Sequence, residues 1–148
     1  MKPASTFNPA GQRGFTLLEV LISMVVIALG LLGYAGLQAV SLKNANTAYL
    51  RSQATMLSHD IVERMRVNKA VALTGTYNIA IGSLTGGSGV AGNDLSEWKA
   101  NLRQSLPAGD GAVVVSGVGA STGNVQITIQ WDDDGDGTPT QFIMQTRL

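Results

Sequence analysis

The sequence predicts an α+β fold in which one long N-terminal α-helix packs on a small antiparallel β-sheet. Two observations support this prediction. All four prolines lie outside residues 10–106, and the first part of that stretch carries apolar residues at helical spacing. The last third of the chain instead holds short segments of alternating or continuous apolar character, separated by turn-forming residues. Helical and strand patterns that occupy separate parts of a chain are typical of α+β proteins.

The first segment, residues 1–14, differs from the rest of the chain. It is polar and proline-containing, and its only charged residues are Lys2 and Arg13. Positive charge before an apolar segment is the pattern of export signals that keep the N-terminus in the cytoplasm. The small residue Gly14 precedes the apolar run, whereas an ordinary secretory signal places its small residues after it. These residues leave two interpretations open: cleavage after Gly14, which would free the Phe15 amine, or an uncleaved signal anchor.

Residues 15–37 form an apolar run with a single charged side chain, Glu19. The run is 23 residues long, and as a helix it would span roughly 34 Å, enough for the hydrocarbon core of a bilayer. A carboxylate within such a segment costs several kcal/mol unless it is paired. We therefore expect Glu19 to meet a positive charge, and a free amine on Phe15 is one candidate.

The helical pattern continues well beyond the apolar run. Residues 38–69 contain no proline or glycine, and apolar residues recur at helical spacing. These are Leu50, Ala54, Leu57, Ile61 and Met65. One helix is thus predicted from Phe15 to about Lys69, roughly 80 Å long. Its first half is apolar on all sides and its second half is amphipathic, so only the second half is expected to pack on a globular domain.

A glycine-rich connection and a second, shorter helix are predicted next. Residues 74–93 are rich in Gly, Thr, Ser and Asn, and within them residues 77–81 are expected to form a short strand. Asp94 and Glu97 resemble a capping box, which would start a helix at this point. An apolar stripe follows at Leu95, Trp98, Leu102 and Leu106. Pro107 is expected to end this helix.

The C-terminal part is predicted to be a sheet of three strands. Ala112–Val118 is a continuous apolar run, whereas residues 125–131 and Gln141–Leu148 alternate between apolar and polar side chains. Residues 119–124 and 132–140 supply the turns. Such strands fit an antiparallel sheet with one face on the helix stripe.

Composition excludes several function classes. The chain has 148 residues and no net formal charge; without residues 1–14, 8 basic residues face 10 acidic ones, so no nucleic-acid binding is expected. The small basic patch of Arg64, Arg66 and Lys69 is explained by the negative end of the helix dipole. There is no cysteine, and His59 is the only histidine. A thiol nucleophile, a Cys-ligated zinc and a catalytic triad are excluded, and we expect no enzyme activity.

The segment Asp132-Asp133-Asp134-Gly135-Asp136-Gly137 is the sharpest cluster of possible ligands. Asp132, Asp134 and Asp136 match the first half of a D-x-D-x-D-G calcium loop. The second half does not match, because the position of the bidentate glutamate is occupied by Ile143. A solvated hairpin turn also favours Asp and Gly. Calcium binding and a plain turn both stay open, and Ca²⁺ is the one cofactor that the sequence suggests.

The segment Gly14-Phe15-Thr16-Leu17-Leu18-Glu19, preceded by a basic leader, resembles the class III signal peptide of type IV pilins and pseudopilins. The resemblance implies that a prepilin peptidase cuts between Gly14 and Phe15 and methylates the new Phe15 amine. It also implies that Glu19 meets the free amine of a neighbouring subunit during assembly, and that the fold is pilin-like. The lack of cysteine departs from the many pilins that close a C-terminal loop with a disulfide.

Residues 30–38, 51–54 and 63–68 resemble PilV-type minor pilins. The resemblance implies a structural subunit of a priming or tip complex that supports pilus assembly, twitching motility and adhesion. Implied partners are other minor and major pilins, the prepilin peptidase and a tip adhesin. The implied locations are the inner membrane, crossed once with the N-terminus in the cytoplasm, and then the extracellular pilus.

The predicted organisation is a cleaved leader (1–14), a transmembrane and assembly segment (15–37) and a periplasmic or extracellular globular domain (38–148). One alternative function is a minor pseudopilin of type II secretion, which would share the leader and the fold. An alternative from another class is a signal-anchored periplasmic calcium-binding module that never assembles.

Overall fold

The computed structural model describes residues 14–84, 86–119 and 121–148. Three helices precede three strands: α1 Leu17–Val67, α2 Lys69–Ala72, α3 Gly89–Ser105, β1 Asp110–Ser116, β2 Asn124–Trp131 and β3 Thr140–Arg147. The predicted α+β fold, with a long N-terminal helix and a small antiparallel sheet, is confirmed. The chain divides into two compact units, the first ending at Lys43 and the second spanning Asn44–Leu148.

The first unit contains the apolar part of α1. Every residue from Gly14 to Lys43 is exposed, including large apolar side chains such as Leu17 and Leu32. The part of the chain that the structure describes has one helix long and apolar enough to cross a membrane, with a mean hydropathy of 2.4 over an 18-residue window. So much exposed apolar surface is unstable in water, and it requires lipid or other protein around it.

The second unit begins with the amphipathic part of α1, whose buried face is the predicted stripe. The buried residues are Leu50, Ala54, Ser58, Ile61, Val62 and Met65, and Leu57 packs against them half-buried. Ser58 was not predicted on this face. Its hydroxyl donates a hydrogen bond to the carbonyl oxygen of Thr55 at 2.7 Å, which compensates for its burial.

The three strands form one antiparallel sheet in the order β1-β2-β3. The central strand β2 buries every second side chain, Val125, Ile127, Ile129 and Trp131, as the alternating sequence predicts. The first strand was predicted to run to Val118, which was wrong by two residues. It ends at Ser116 because Gly117 turns the chain with a φ of +81°.

The predicted start of the second helix at Asp94 was wrong. Helix α3 begins at Gly89, with Ser88 at its N-cap position but without a side-chain capping bond. The apolar stripe extends one turn further back than predicted, because Ala91 is buried on the same face as Leu95. Asp94 and Glu97 therefore lie inside the helix and do not cap it.

The predicted short strand at residues 77–81 is reduced to an isolated bridge. Ile79 exchanges two backbone hydrogen bonds with Val113 of β1, at 3.0 and 2.9 Å. The glycine-rich connection therefore lies along the outer edge of β1. Tyr77 and Ile79 bury their side chains in the core, which fixes this otherwise irregular segment.

Trp98 fills the centre of the globular unit. Its side chain is fully buried, and its indole N–H donates to the carbonyl oxygen of Leu57 at 2.9 Å, which ties α3 to α1. Gly111 makes room for the ring, since a Cβ added at Gly111 would lie 2.5 Å from a ring carbon of Trp98. The prediction that Trp98 belongs to the core is confirmed.

A buried ion pair joins α3 to β1. Lys99 is 1 % exposed, and its Nζ donates to Asp110 Oδ1 at 2.6 Å and to the carbonyl oxygen of Ala80 at 3.0 Å. Asp110 also accepts backbone N–H bonds from Gly82 and Gly111. Burial alone would raise the pKa of Asp110, but these partners together hold it below its ordinary value.

We predict that Asp110→Asn lowers the free energy of unfolding near neutral pH. The difference in this free energy between the variant and the wild type should shrink at acidic pH. The folded-state pKa of Asp110 lies below its ordinary value of 3.8. The stabilisation that its charge provides is therefore complete above about pH 3.8 and is lost as the pH falls below that value. Urea unfolding of both proteins over this pH range measures the difference. A constant difference across the range would contradict the assignment.

Candidate functional site

The start of α1 holds the residues that the sequence singles out. Gly14, Phe15 and Thr16 precede the helix, and Phe15 is 82 % exposed. The Gly14–Phe15 peptide bond therefore lies in exposed, non-helical chain, as access by a peptidase would require. Lys2 and Arg13, the basic residues of the predicted leader, lie outside the described residues.

Thr16 caps the helix, a role that was not predicted. The backbone N–H of Glu19 donates to Thr16 Oγ1 at 3.2 Å and to the Thr16 carbonyl oxygen at 3.0 Å. Thr16-Leu17-Leu18-Glu19 has the T-x-x-E pattern of a capping box, with Thr16 at the N-cap and Glu19 three residues on. This capping-box pattern is visible in the sequence, but Glu19 was interpreted only as a charge in an apolar segment.

Glu19 therefore lies in the first turn of α1, where it is exposed. The N-terminal end of a helix carries a partial positive charge, which favours a carboxylate. This position stabilises Glu19 in part, and it leaves the carboxylate accessible to a second cation. Phe15 and Glu19 lie at the same end of α1, separated by a single turn of chain.

The Asp-rich turn between β2 and β3 brings the predicted calcium ligands together. Oxygen atoms of Asp132, Asp134 and Asp136 all lie within 4.8 Å of one another. Asp132 accepts backbone N–H bonds from Gly135 and Gly137 at 2.8 and 3.0 Å. Hydrogen bonds of this kind order a turn without a metal ion.

The same turn is tied to the rest of the globular unit by Asp133. Its carboxylate accepts hydrogen bonds from Thr47 of α1 at 3.5 Å and from Thr140 of β3 at 3.2 Å. Ile143, at the position of the missing bidentate ligand, lies within β3. Three carboxylates suit the oxygen preference of Ca²⁺, but the remaining ligands would have to be backbone oxygens or water.

The basic residues near the end of α1 are engaged in ion pairs. Arg64 contacts Glu97 at 2.7 Å, Asp60 at 3.2 Å and Asp94 at 3.5 Å. The hydrogen bond to Glu97 is the largest contribution that raises the pKa of Arg64, against the opposing effect of burial. Arg66 pairs with Glu63 at 2.6 Å. The pairs of Arg64 with Glu97 and Asp94 join α1 to α3, and the charges of Arg64 and Arg66 are both compensated by carboxylates.

Tyr77 completes this polar network. Its hydroxyl donates to Asp94 Oδ2 at 2.5 Å and accepts from the Asn68 amide at 3.2 Å. Burial raises the pKa of Tyr77, and the hydrogen bond to Asp94 raises it further. The network accounts for Asp94 as a structural residue. His59 is exposed, and the polar groups of this network include no nucleophile paired with a base.

Comparison with known proteins gives two matches, which adjoin each other along the chain. Residues 9–35 match the prokaryotic N-terminal methylation motif, and residues 36–85 match the family described as type IV pilin Tt1218. No curated protein and no solved structure shows a significant match.

The two matches cover the capped start of α1, the whole of that helix and the connection along the edge of β1. The remaining residues supply α3 and the sheet, whose α+β arrangement is that of the pilin fold. Pilins are structural subunits and not enzymes. The methylation motif and the type IV pilin match together cover residues 9–85, and the long N-terminal helix with its three-stranded sheet agrees with them, so the chain is similar to type IV pilins.

Proposed function

We propose that this chain is a PilV-type minor pilin, a structural subunit of the complex that primes pilus assembly and remains at the pilus tip. The observation that carries the proposal is the start of α1, where an exposed Gly14–Phe15 bond precedes a helix with Glu19 in its first turn. The resemblance of residues 30–68 to PilV-type subunits supports the finer assignment.

Processing and assembly follow from the chemistry of these residues. Cleavage of the Gly14–Phe15 bond by a prepilin peptidase would release residues 1–14 and leave a positively charged amine on Phe15. Methylation of a primary amine keeps this charge. The carboxylate of Glu19 on one subunit would then pair with the Phe15 amine of another, in surroundings of low dielectric constant where such a pair is strong.

The exposed apolar part of α1 has two successive surroundings in this proposal. Before assembly, residues 15–37 span the inner membrane, with the leader in the cytoplasm and residues 38–148 on the other side. After assembly, the helices of major and minor pilins replace the lipid around it. A tip adhesin is a further proposed partner, through which the subunit would support adhesion and twitching motility.

Deletion of the chain tests this function. We expect loss of surface pili and of twitching, with restoration by the wild-type chain. A minor pseudopilin would have a different phenotype, namely intact pili and reduced secretion of exported enzymes. Intact pili with intact twitching would contradict the pilus assignment.

We also predict that the Asp-rich turn binds Ca²⁺ at millimolar concentration, the weak range expected of extracellular sites. Calcium should raise the melting temperature of the full chain and release or absorb heat in isothermal titration, whereas magnesium should do neither. Asp134→Asn should abolish both effects of calcium. If calcium produces no heat and no shift in the melting temperature, the prediction is wrong and the segment is a hairpin turn without a metal site.

A further inference from the structure

The two edges of the sheet differ in whether their outward-facing backbone groups are hydrogen-bonded. Hydrogen bonds between Ile79 and Val113 show that the backbone N–H and C=O of Val113 point away from β2. Residues alternate along a strand, so Gly111 and Val115 point the same way. Asp110 accepts the N–H of Gly111, and the side chain of Asn78 accepts that of Val115. Every outward N–H along the middle of this edge is satisfied.

The edge formed by β3 is open. The register pairs Ile127 with Met144 and Ile129 with Phe142, and these residues of β3 direct their backbone groups toward β2. The intervening residues of β3 therefore direct theirs outward; they are Gln141, Ile143, Gln145 and Arg147. Within the part of the chain that the structure describes, no hydrogen bond engages these outward backbone groups.

This edge also lacks the features that prevent strand pairing. It is eight residues long, it contains no lysine and no proline, and its one charged residue is Arg147 at the C-terminal end. Ile143, at the centre of the edge, is 55 % exposed. Folded proteins usually protect an edge of this kind with lysine, proline, a bulge or a covering segment. An unprotected edge of this length is a template for another strand.

We propose that β3 is a docking site for an extended segment of a partner protein, which adds as a fourth strand antiparallel to β3. The sheet is antiparallel throughout, and this pairing gives the better hydrogen-bond geometry. The segment would place an apolar side chain opposite Ile143. It would place an acidic one opposite Arg147, which has no ion-pair partner among the described residues.

A second copy of the same chain fits this edge less well. Antiparallel self-pairing centred on Ile143 would set Arg147 opposite Pro139, which has neither an N–H to donate nor a negative charge. In that pairing the guanidinium group of Arg147 would have no negatively charged group opposite it. The charge of the edge therefore favours a different chain with a carboxylate at that position.

The test uses the full chain in detergent and a synthetic peptide as long as β3, with alternating valine and threonine and one glutamate opposite Arg147. Binding should slow backbone hydrogen exchange in β3 and leave β1 unchanged. Ile143→Lys should weaken binding about tenfold or more, because lysine at an edge opposes strand addition. The matched control is Val114→Lys on β1, where Val114 is 53 % exposed, and it should bind normally.

A second peptide, methylated on the backbone nitrogens that would face β3, separates strand addition from side-chain contact and should not bind. The proposal is overturned if the first peptide leaves exchange in β3 unchanged, if both peptides bind equally, or if Val114→Lys weakens binding as much as Ile143→Lys. It is also overturned if β3 becomes protected by self-association alone. None of these outcomes depends on pilus assembly, so the proposed function is tested separately.

Discussion

Replacing Trp98 by alanine is expected to lower the free energy of unfolding by about 3–5 kcal/mol, the range for a large aromatic removed from a core. The side chain is fully buried, and it contacts both α1, through the carbonyl oxygen of Leu57, and β1, at Gly111. The neighbouring backbone of Gly111 cannot move in to fill the space without breaking its strand. A loss of this size is a large fraction of the total stability of a typical domain, which is about 5–15 kcal/mol.

Urea unfolding of the full chain in detergent, followed by circular dichroism, measures this loss. Trp98→Phe is the matched control, because it keeps most of the ring volume and removes the hydrogen bond to Leu57. Its cost should be smaller, about 1–3 kcal/mol for the lost hydrogen bond together with the reduced ring. If Trp98→Ala cost less than about 1 kcal/mol, the residue would not be central to the core.

Replacing Glu19 by alanine is expected to leave the protein in the membrane and to lower its amount in sheared pili by roughly tenfold or more. Removing one partner of a charge pair in a region of low dielectric constant costs several kcal/mol, and each 1.4 kcal/mol corresponds to a factor of ten. Immunoblots of membranes and of sheared pili, each normalised to the major pilin, measure the two quantities.

Because Glu19 also belongs to a capping box, two further variants separate charge from capping. Glu19→Gln keeps a residue that suits this position of the box but removes the charge, so it should be excluded from pili like Glu19→Ala. Thr16→Ala removes the cap and keeps the charge, so it should be incorporated at nearly the wild-type amount. Normal incorporation of Glu19→Gln would contradict a role for the charge in docking.

The parts of the fold that were predicted correctly are those with a strong local period. The stripe of α1 and the alternation of β2 each follow from burial on one face, and a period is visible in sequence. The start of α3 was missed because the residues around it, such as Ser88 and Gly89, have the composition of a loop. Gly89 has a positive φ of +58°, and Ser88 makes no side-chain capping bond, so no capping signal marks the start of the helix.

The contacts that were missed join residues from different elements. The ion pair of Lys99 with Asp110 connects a helix to a strand, and the hydrogen bond of Tyr77 with Asp94 connects the irregular segment to α3. Neither pair has a spacing that would reveal it. Asp94 was therefore assigned to a helix cap, the usual role of an aspartate before an apolar stripe. Its actual partner, the hydroxyl of Tyr77, lies in a different element.

At the candidate site, local chemistry gave most of what the structure shows. The apolar run and the carboxylate of Glu19 were evident from residue types alone, whereas the Thr16 cap was overlooked because the acid already had another interpretation. The open edge of β3 was beyond prediction, since it depends on which strand lies at the border of the sheet and on what covers the opposite border.

The mass of the intact chain isolated from membranes and from sheared pili tests the central claim most directly, namely that this protein is processed at Gly14 and assembled. The mass is predicted to equal that of residues 15–148 plus one methyl group, with fragmentation placing the methyl on the Phe15 nitrogen. A chain that retains residues 1–14 and carries no added methyl would contradict the account, and would favour a signal-anchored protein that never enters a filament.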